Sequence, residues 1–95
     1  MSKELSEKIA DCFRNKPVKK AFLFGSVSRN EEDENSDVDI LVELDYSQHI
    51  GLGFIRMKLE LEDLLNRKVD LLTSKSVSKY IQPFIDSEKI LIYEK

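Results

Sequence analysis

Ninety-five residues with fifteen basic and eighteen acidic side chains, a net charge of −3, make one domain spanning 1–95, too small to hold a catalytic core and a separate substrate domain. The acidic balance argues against a dedicated DNA or RNA binder, and a lone cysteine, Cys12, excludes an internal disulfide framework and fits a reducing cytoplasm. No apolar run approaches the ~18–20 residues of a membrane span, and the charged start Met-Ser-Lys-Glu-Leu-Ser-Glu-Lys is no signal peptide.

Residues 2–15 read as an amphipathic helix, with Leu5, Ile9, Cys12 and Phe13 recurring at three and four. Cys12 lies on that stripe and reads as a small buried hydrophobe, since no metal-ligand spacing accompanies it. Pro17 ends the helix, and Val18 to Phe24 forms a strand that delivers Gly25. After Ser26 one or two helical turns carrying Arg29 are predicted, then an exposed loop through Glu31, Glu32, Asp33 and Glu34.

A second strand, Asp37 to Leu44, puts Val38, Ile40, Val42 and Leu44 on one face and Asp37, Asp39, Leu41 and Glu43 on the other. Helices should cover the first face, leaving the carboxylates on an opposite, partly open one. The linker 45–53 holds the single histidine, His49, which either faces solvent or contacts a nucleotide or partner. Residues 52–66 form a helix whose main stripe is Phe54, Met57, Leu61, Leu64 and Leu65. A second strip of Leu52, Ile55 and Leu59 either packs on another helix of the chain or docks a partner in a homo- or hetero-oligomer.

Arg67 to Leu72 reads as a third strand, with Asp70 and Leu72 on one face. If it neighbours the second strand, Asp70 joins Asp37 and Asp39. Ser76 is predicted to cap a last helix bearing Val77, Tyr80, Ile81, Phe84 and Ile85, kinked or broken near Ile81 by Pro83. Lys89 to Glu94 is a short closing strand, suited to an edge.

The chemistry concentrates between Gly25 and Asp39. A Gly-Ser pair at a strand end, starting a helical turn, offers backbone N–H groups to phosphate oxygens. Asp37 and Asp39 project from one face of an extended strand, where two carboxylates favour a hard divalent cation such as magnesium. An EF-hand beginning at Asp33 would need glycine at Val38 and glutamate at Leu44; a Walker-type loop would need a second glycine well before Gly51. Neither fits.

The ordered combination of Gly25-Ser26, ten residues and Asp37-x-Asp39 resembles the signature of the DNA polymerase β-like nucleotidyltransferases. Within them the chain resembles the minimal nucleotidyltransferase (MNT) group, whose members often pair with a HEPN-domain partner as antitoxin and toxin. The likeness runs from Phe22-Leu23-Phe24-Gly25-Ser26 through Leu59-Glu60-Leu61-Glu62 to Arg67-Lys68-Val69-Asp70-Leu71. It implies an α/β (α+β) nucleotidyltransferase fold: a mixed sheet of about four strands, helices mainly on one face and carboxylates on the other. It implies two Mg2+ ions held by Asp37, Asp39 and Asp70, roughly 3.5–4 Å apart, with Asp70 also drawing the acceptor's proton. Gly25 and Ser26 would hold the ATP phosphates, and Arg29 would contact phosphate or target. The implied reaction is transfer of AMP from ATP to a tyrosine hydroxyl of a HEPN toxin. Two other functions compete: transfer to a small molecule, as in aminoglycoside-modifying relatives that carry an added substrate domain, and a non-catalytic antitoxin that neutralises by covering. Val27 stands where many members have arginine and Asn30 where many have glycine, which weakens the expected nucleotide grip.

Overall fold

The computed structural model describes residues 3–25 and 37–95. The expectations for Ser26, Val27, Arg29, Asn30 and the acidic run 31–34 lie outside the described residues. In chain order the elements are α1 (Lys3–Phe13), β1 (Val18–Phe24), β2 (Val38–Leu44), α2 (Gly53–Leu65), β3 (Val69–Thr73), α3 (Gln82–Glu88) and β4 (Ile90–Glu94). The strands form one mixed sheet in the order β3-β2-β1-β4. β1 runs antiparallel to β2 and β4, while β2 and β3 are parallel. β4 is an edge strand, as expected of the short closing segment.

The period-two alternation of β2 decides which face is covered. Val38, Ile40, Val42 and Leu44 pack into a core with Leu23, Val69 and Leu71, closed by Ile9 and Phe13 of α1 and Met57 and Leu61 of α2. Fully burying a side chain such as Leu61 stabilises by ~1.5–3 kcal/mol. Phe13 also meets Tyr93 of β4 with ring centroids 6.3 Å apart. Lys16, just past α1, joins Glu60 of α2 at 2.9 Å, tying the two helices at their exposed rim. α2 ends on Asn66 in the left-handed conformation, a usual way to stop a helix and turn into a strand.

Three expectations needed correction. The last helix does not start at Ser76. Its backbone N–H and hydroxyl both bond to Thr73 O, at 3.1 and 2.9 Å, closing a turn instead. A helix across 76–88 would require an N–H from Pro83 to Lys79 O, which proline lacks, so α3 begins at Gln82 with Pro83 in its first turn, where the missing donor has no partner to lose. Short as it is, α3 buries Ile85, while Tyr80, Ile81 and Phe84 stay exposed. On α2, Leu64 is 46% exposed rather than core, and Leu52, Ile55 and Leu59 are 70%, 55% and 55% exposed, so among the described residues no helix covers them. Cys12 is half-buried rather than buried, with its thiol donating to Glu60 Oε2 at 3.9 Å.

Candidate functional site

The second face of the sheet is partly closed from one side. Phe22, Leu41 and Ile85 form a small core there, joined by Phe24, Leu72 and Val77. Leu41 and Leu72 lie two residues beyond Asp39 and Asp70 along their strands, so α3 and its preceding turn roof the apolar half of this face. The acids occupy its rim, at the end of the sheet where β1 finishes and β2 and β3 begin.

Three local features set their positions. The parallel register places Val38 beside Val69 and Asp39 beside Asp70, so the Asp39 and Asp70 side chains leave the sheet on one side as lateral neighbours. Val38 N–H donates to Lys68 O at 3.0 Å, and Val69 N–H donates to Glu62 Oε2 at 3.0 Å. These two bonds lock both strand starts immediately before the paired acids. On the other flank Phe24 pairs with Asp39.

Gly25 follows directly, with φ +76, in the region that favours glycine. A Cβ there would collide with Asp39 Oδ2 and come within 3.1 Å of Asp39 Cγ. Asp39 Oδ2 therefore occupies the space that a Gly25 Cβ would need, and glycine suits the position both for its torsion and for its lack of bulk. Gly25 N–H donates to Glu88 Oε2 at 3.2 Å. Glu88 was not singled out from the sequence, although its place at the close of a helix and just before β4 sets it at the same end of the sheet.

Asp37 and Asp70 are exposed and Asp39 is half-buried. Asp37 immediately precedes β2, two positions before Asp39. Among the described residues, no three acidic, histidine or cysteine side chains stand close enough to hold a metal ion. The donor set nonetheless suits magnesium, which binds through one or two carboxylates and keeps oxygens from water and phosphate for the rest of its shell. Like charges on adjacent strands repel, and a cation between Asp39 and Asp70 would relieve that repulsion. His49 is exposed in the linker after β2, at the far end of that strand from the acids.

Residues 7–95 match the family described as polymerase beta, nucleotidyltransferase. The chain belongs to this family. Among the nucleotidyltransferase's relatives, a protein of Methanocaldococcus jannaschii, provisionally named a protein adenylyltransferase, is 39% identical over 92% of each chain. Protein adenylyltransferase MntA of Thermococcus cleftensis is 36% identical over 79% of this chain and 75% of that one. These relatives put the nucleotidyltransferase in the minimal group. Its fold matches a chain in the structure of a tri-AMPylated Shewanella oneidensis HEPN toxin in complex with MNT antitoxin, with a TM-score of 0.75 over all of this chain and 74% of that one at 21% identity. The mixed four-stranded sheet expected from the resemblance is the one found.

Proposed function

We propose that this nucleotidyltransferase, acting as one domain over residues 1–95, transfers AMP from ATP to a tyrosine hydroxyl of a HEPN-type toxin and thereby acts as its antitoxin. The observation that carries the reading is the side-by-side placement of Asp39 and Asp70 with the Gly25 turn pressed against Asp39, in a chain whose relatives bear the name protein adenylyltransferase. The AMPylated toxin bound to an MNT antitoxin of the same fold supports the choice of acceptor.

In this reading Gly25 and Ser26 hold the outer phosphates, Gly25 by letting the backbone turn and approach closely, since its own N–H is given to Glu88, and Arg29 contacts phosphate or target. Asp37, Asp39 and Asp70 would hold magnesium, which when bound supplies charge neutralisation at the reacting phosphates. Asp70, exposed at the rim of the site, would take the proton from the acceptor hydroxyl. The acceptor oxygen then bonds to the α-phosphorus, the bond from that phosphorus to the bridging oxygen breaks, and pyrophosphate leaves. The apolar roof of Leu41, Leu72 and Ile85 excludes water from the inner half of the site. An AMPylated HEPN toxin held by an MNT antitoxin of the same fold favours a protein acceptor over a free small molecule.

The test is incubation of the full chain with α-labelled ATP, magnesium and a HEPN partner encoded beside it. Label is expected on a tyrosine of the partner, and Asp37→Ala should reduce it to background. An unlabelled partner, or equal labelling by Asp37→Ala, would overturn the reading. Neutralisation of the toxin by the Asp37→Asn, Asp39→Asn double variant would instead favour covering without chemistry.

A further inference from the structure

We propose that Glu88 is a positioning residue of the nucleotide site, holding Gly25 against the Asp39 carboxylate; this rests on the nucleotide reading of Gly25 and Asp39 given above. The argument begins with strand register. β1 and β4 pair Phe22 with Leu91 and Leu23 with Ile90, and continuing outward sets Phe24 opposite Lys89 and Gly25 opposite Glu88. A further β4 residue would satisfy the Gly25 N–H through its main chain, but the backbone there has already become helix. Glu88 ends α3, and Lys89 N–H donates back to Ile85 O at 2.8 Å. The Glu88 side chain takes the place of the lost ladder partner: its Oε2 accepts the Gly25 N–H at 3.2 Å.

That bond has a second end. Gly25 sits at φ +76 with its Cα against Asp39, so whatever fixes the Gly25 peptide also fixes the wall beside one of the paired acids. α3 itself is anchored by Ile85, 4% exposed in the small core with Phe22 and Leu41, and Lys89 is held by Asp86 at 2.9 Å and lies 4.6 Å above the Phe22 ring. Glu88 therefore acts from a braced support. A charge-assisted bond to a main-chain N–H is stronger than a neutral one. The role needs only an acceptor oxygen at that point, which glutamine supplies and alanine does not.

The experiment measures, on the full chain, the Kd for AMP-PNP with magnesium by calorimetry, well below the melting midpoint of every variant, alongside the Gly25 amide proton shift by NMR. Glu88→Ala should weaken binding about tenfold and move the Gly25 amide upfield, while Glu88→Gln should stay within about threefold of wild type. Unchanged binding in Glu88→Ala overturns the inference alone, as do equal losses in the two variants, which would indicate a role for charge rather than for an acceptor. Tighter binding in Glu88→Ala also overturns it, because the carboxylate would then be an obstruction. A wild-type chain that does not bind the nucleotide overturns the nucleotide reading itself, and this inference with it.

Discussion

Replacing Gly25 by alanine tests the site at its tightest point. A φ of +76 disfavours any L side chain by roughly 1–2 kcal/mol. The added Cβ also meets Asp39 Oδ2 and, at 3.1 Å, Cγ. Those atoms belong to a side chain that can rotate, so the collision should displace the carboxylate rather than unfold the sheet. The stability loss is thus set by the torsion, about 1–2 kcal/mol, or a melting midpoint lower by about 4–16 °C for a domain of this size. Displacement of Asp39 acts separately on nucleotidyl transfer, where an error of about 1 Å can cost ~10²-fold. Thermal melting and transfer rates would be measured for Gly25→Ala, for Asp39→Ala and for the double variant. Because Asp39→Ala removes both colliding atoms, the pair should be non-additive in the transfer assay. A Gly25→Ala protein that melts and turns over like wild type would refute the reasoning.

Pro83→Ala should change stability by less than ~0.5 kcal/mol in urea denaturation, because Pro83 sits in the first turn of α3; a gain near ~3 kcal/mol would mean that the proline interrupts a longer helix. Glu62→Ala removes the acceptor for Val69 N–H and should destabilise by about 1 kcal/mol with an unchanged denaturant slope, with Glu62→Gln recovering most of it; wild-type stability in Glu62→Ala would contradict the strand-locking role. Burial raises the Cys12 thiol above its ordinary 9.0, and the Glu60 carboxylate adds to that against the lowering effect of Lys16. The thiol form is thus favoured on folding, so this contribution is complete below pH 9.0 and is lost as pH rises through the higher folded value. Cys12→Ala should flatten the alkaline limb of a stability-versus-pH curve; an unaltered limb would count against the assignment. Ser47 bonds hold the Asp45 carboxyl below its ordinary 3.8, so the turn after β2 should loosen as pH falls through that lowered value, seen as faster amide exchange at Ser47 and Gln48 only in acid.

Both long helices and β2 were legible because each carries its own period, and β1 and β4 because short apolar runs end at a glycine or follow a helix. β2 alternates strictly, and its acids were assigned to the face opposite the helices from that alternation alone. The register between β2 and β3 was a conditional expectation, and Asp39 beside Asp70 satisfied the condition. What stayed illegible was set by contacts distant in sequence or by ambiguous local signals. Pro83 fits a kink inside a helix or a helix start equally well, and the Ser76 bonds to Thr73 O, which close a turn, decide for the start. Periodicity showed that Leu52, Ile55 and Leu59 share a strip, yet which elements reach that strip depends on tertiary packing. Glu88 escaped notice because its bond to Gly25 spans sixty-three positions and follows from the pairing of β1 with β4.

The pairing of Asp39 with Asp70 also guards the alignment of the sheet. If either strand slid by a single residue, its pattern would invert and an aspartate would point into the oily layer beneath α2, a placement that an unpaired charge makes prohibitive. The same acids that invite a cation thus act as keys that admit only one way of assembling the central strands. Apolar replacements at these two positions would sacrifice that discrimination along with any chemistry, and misassembled or clumped protein should accompany the loss.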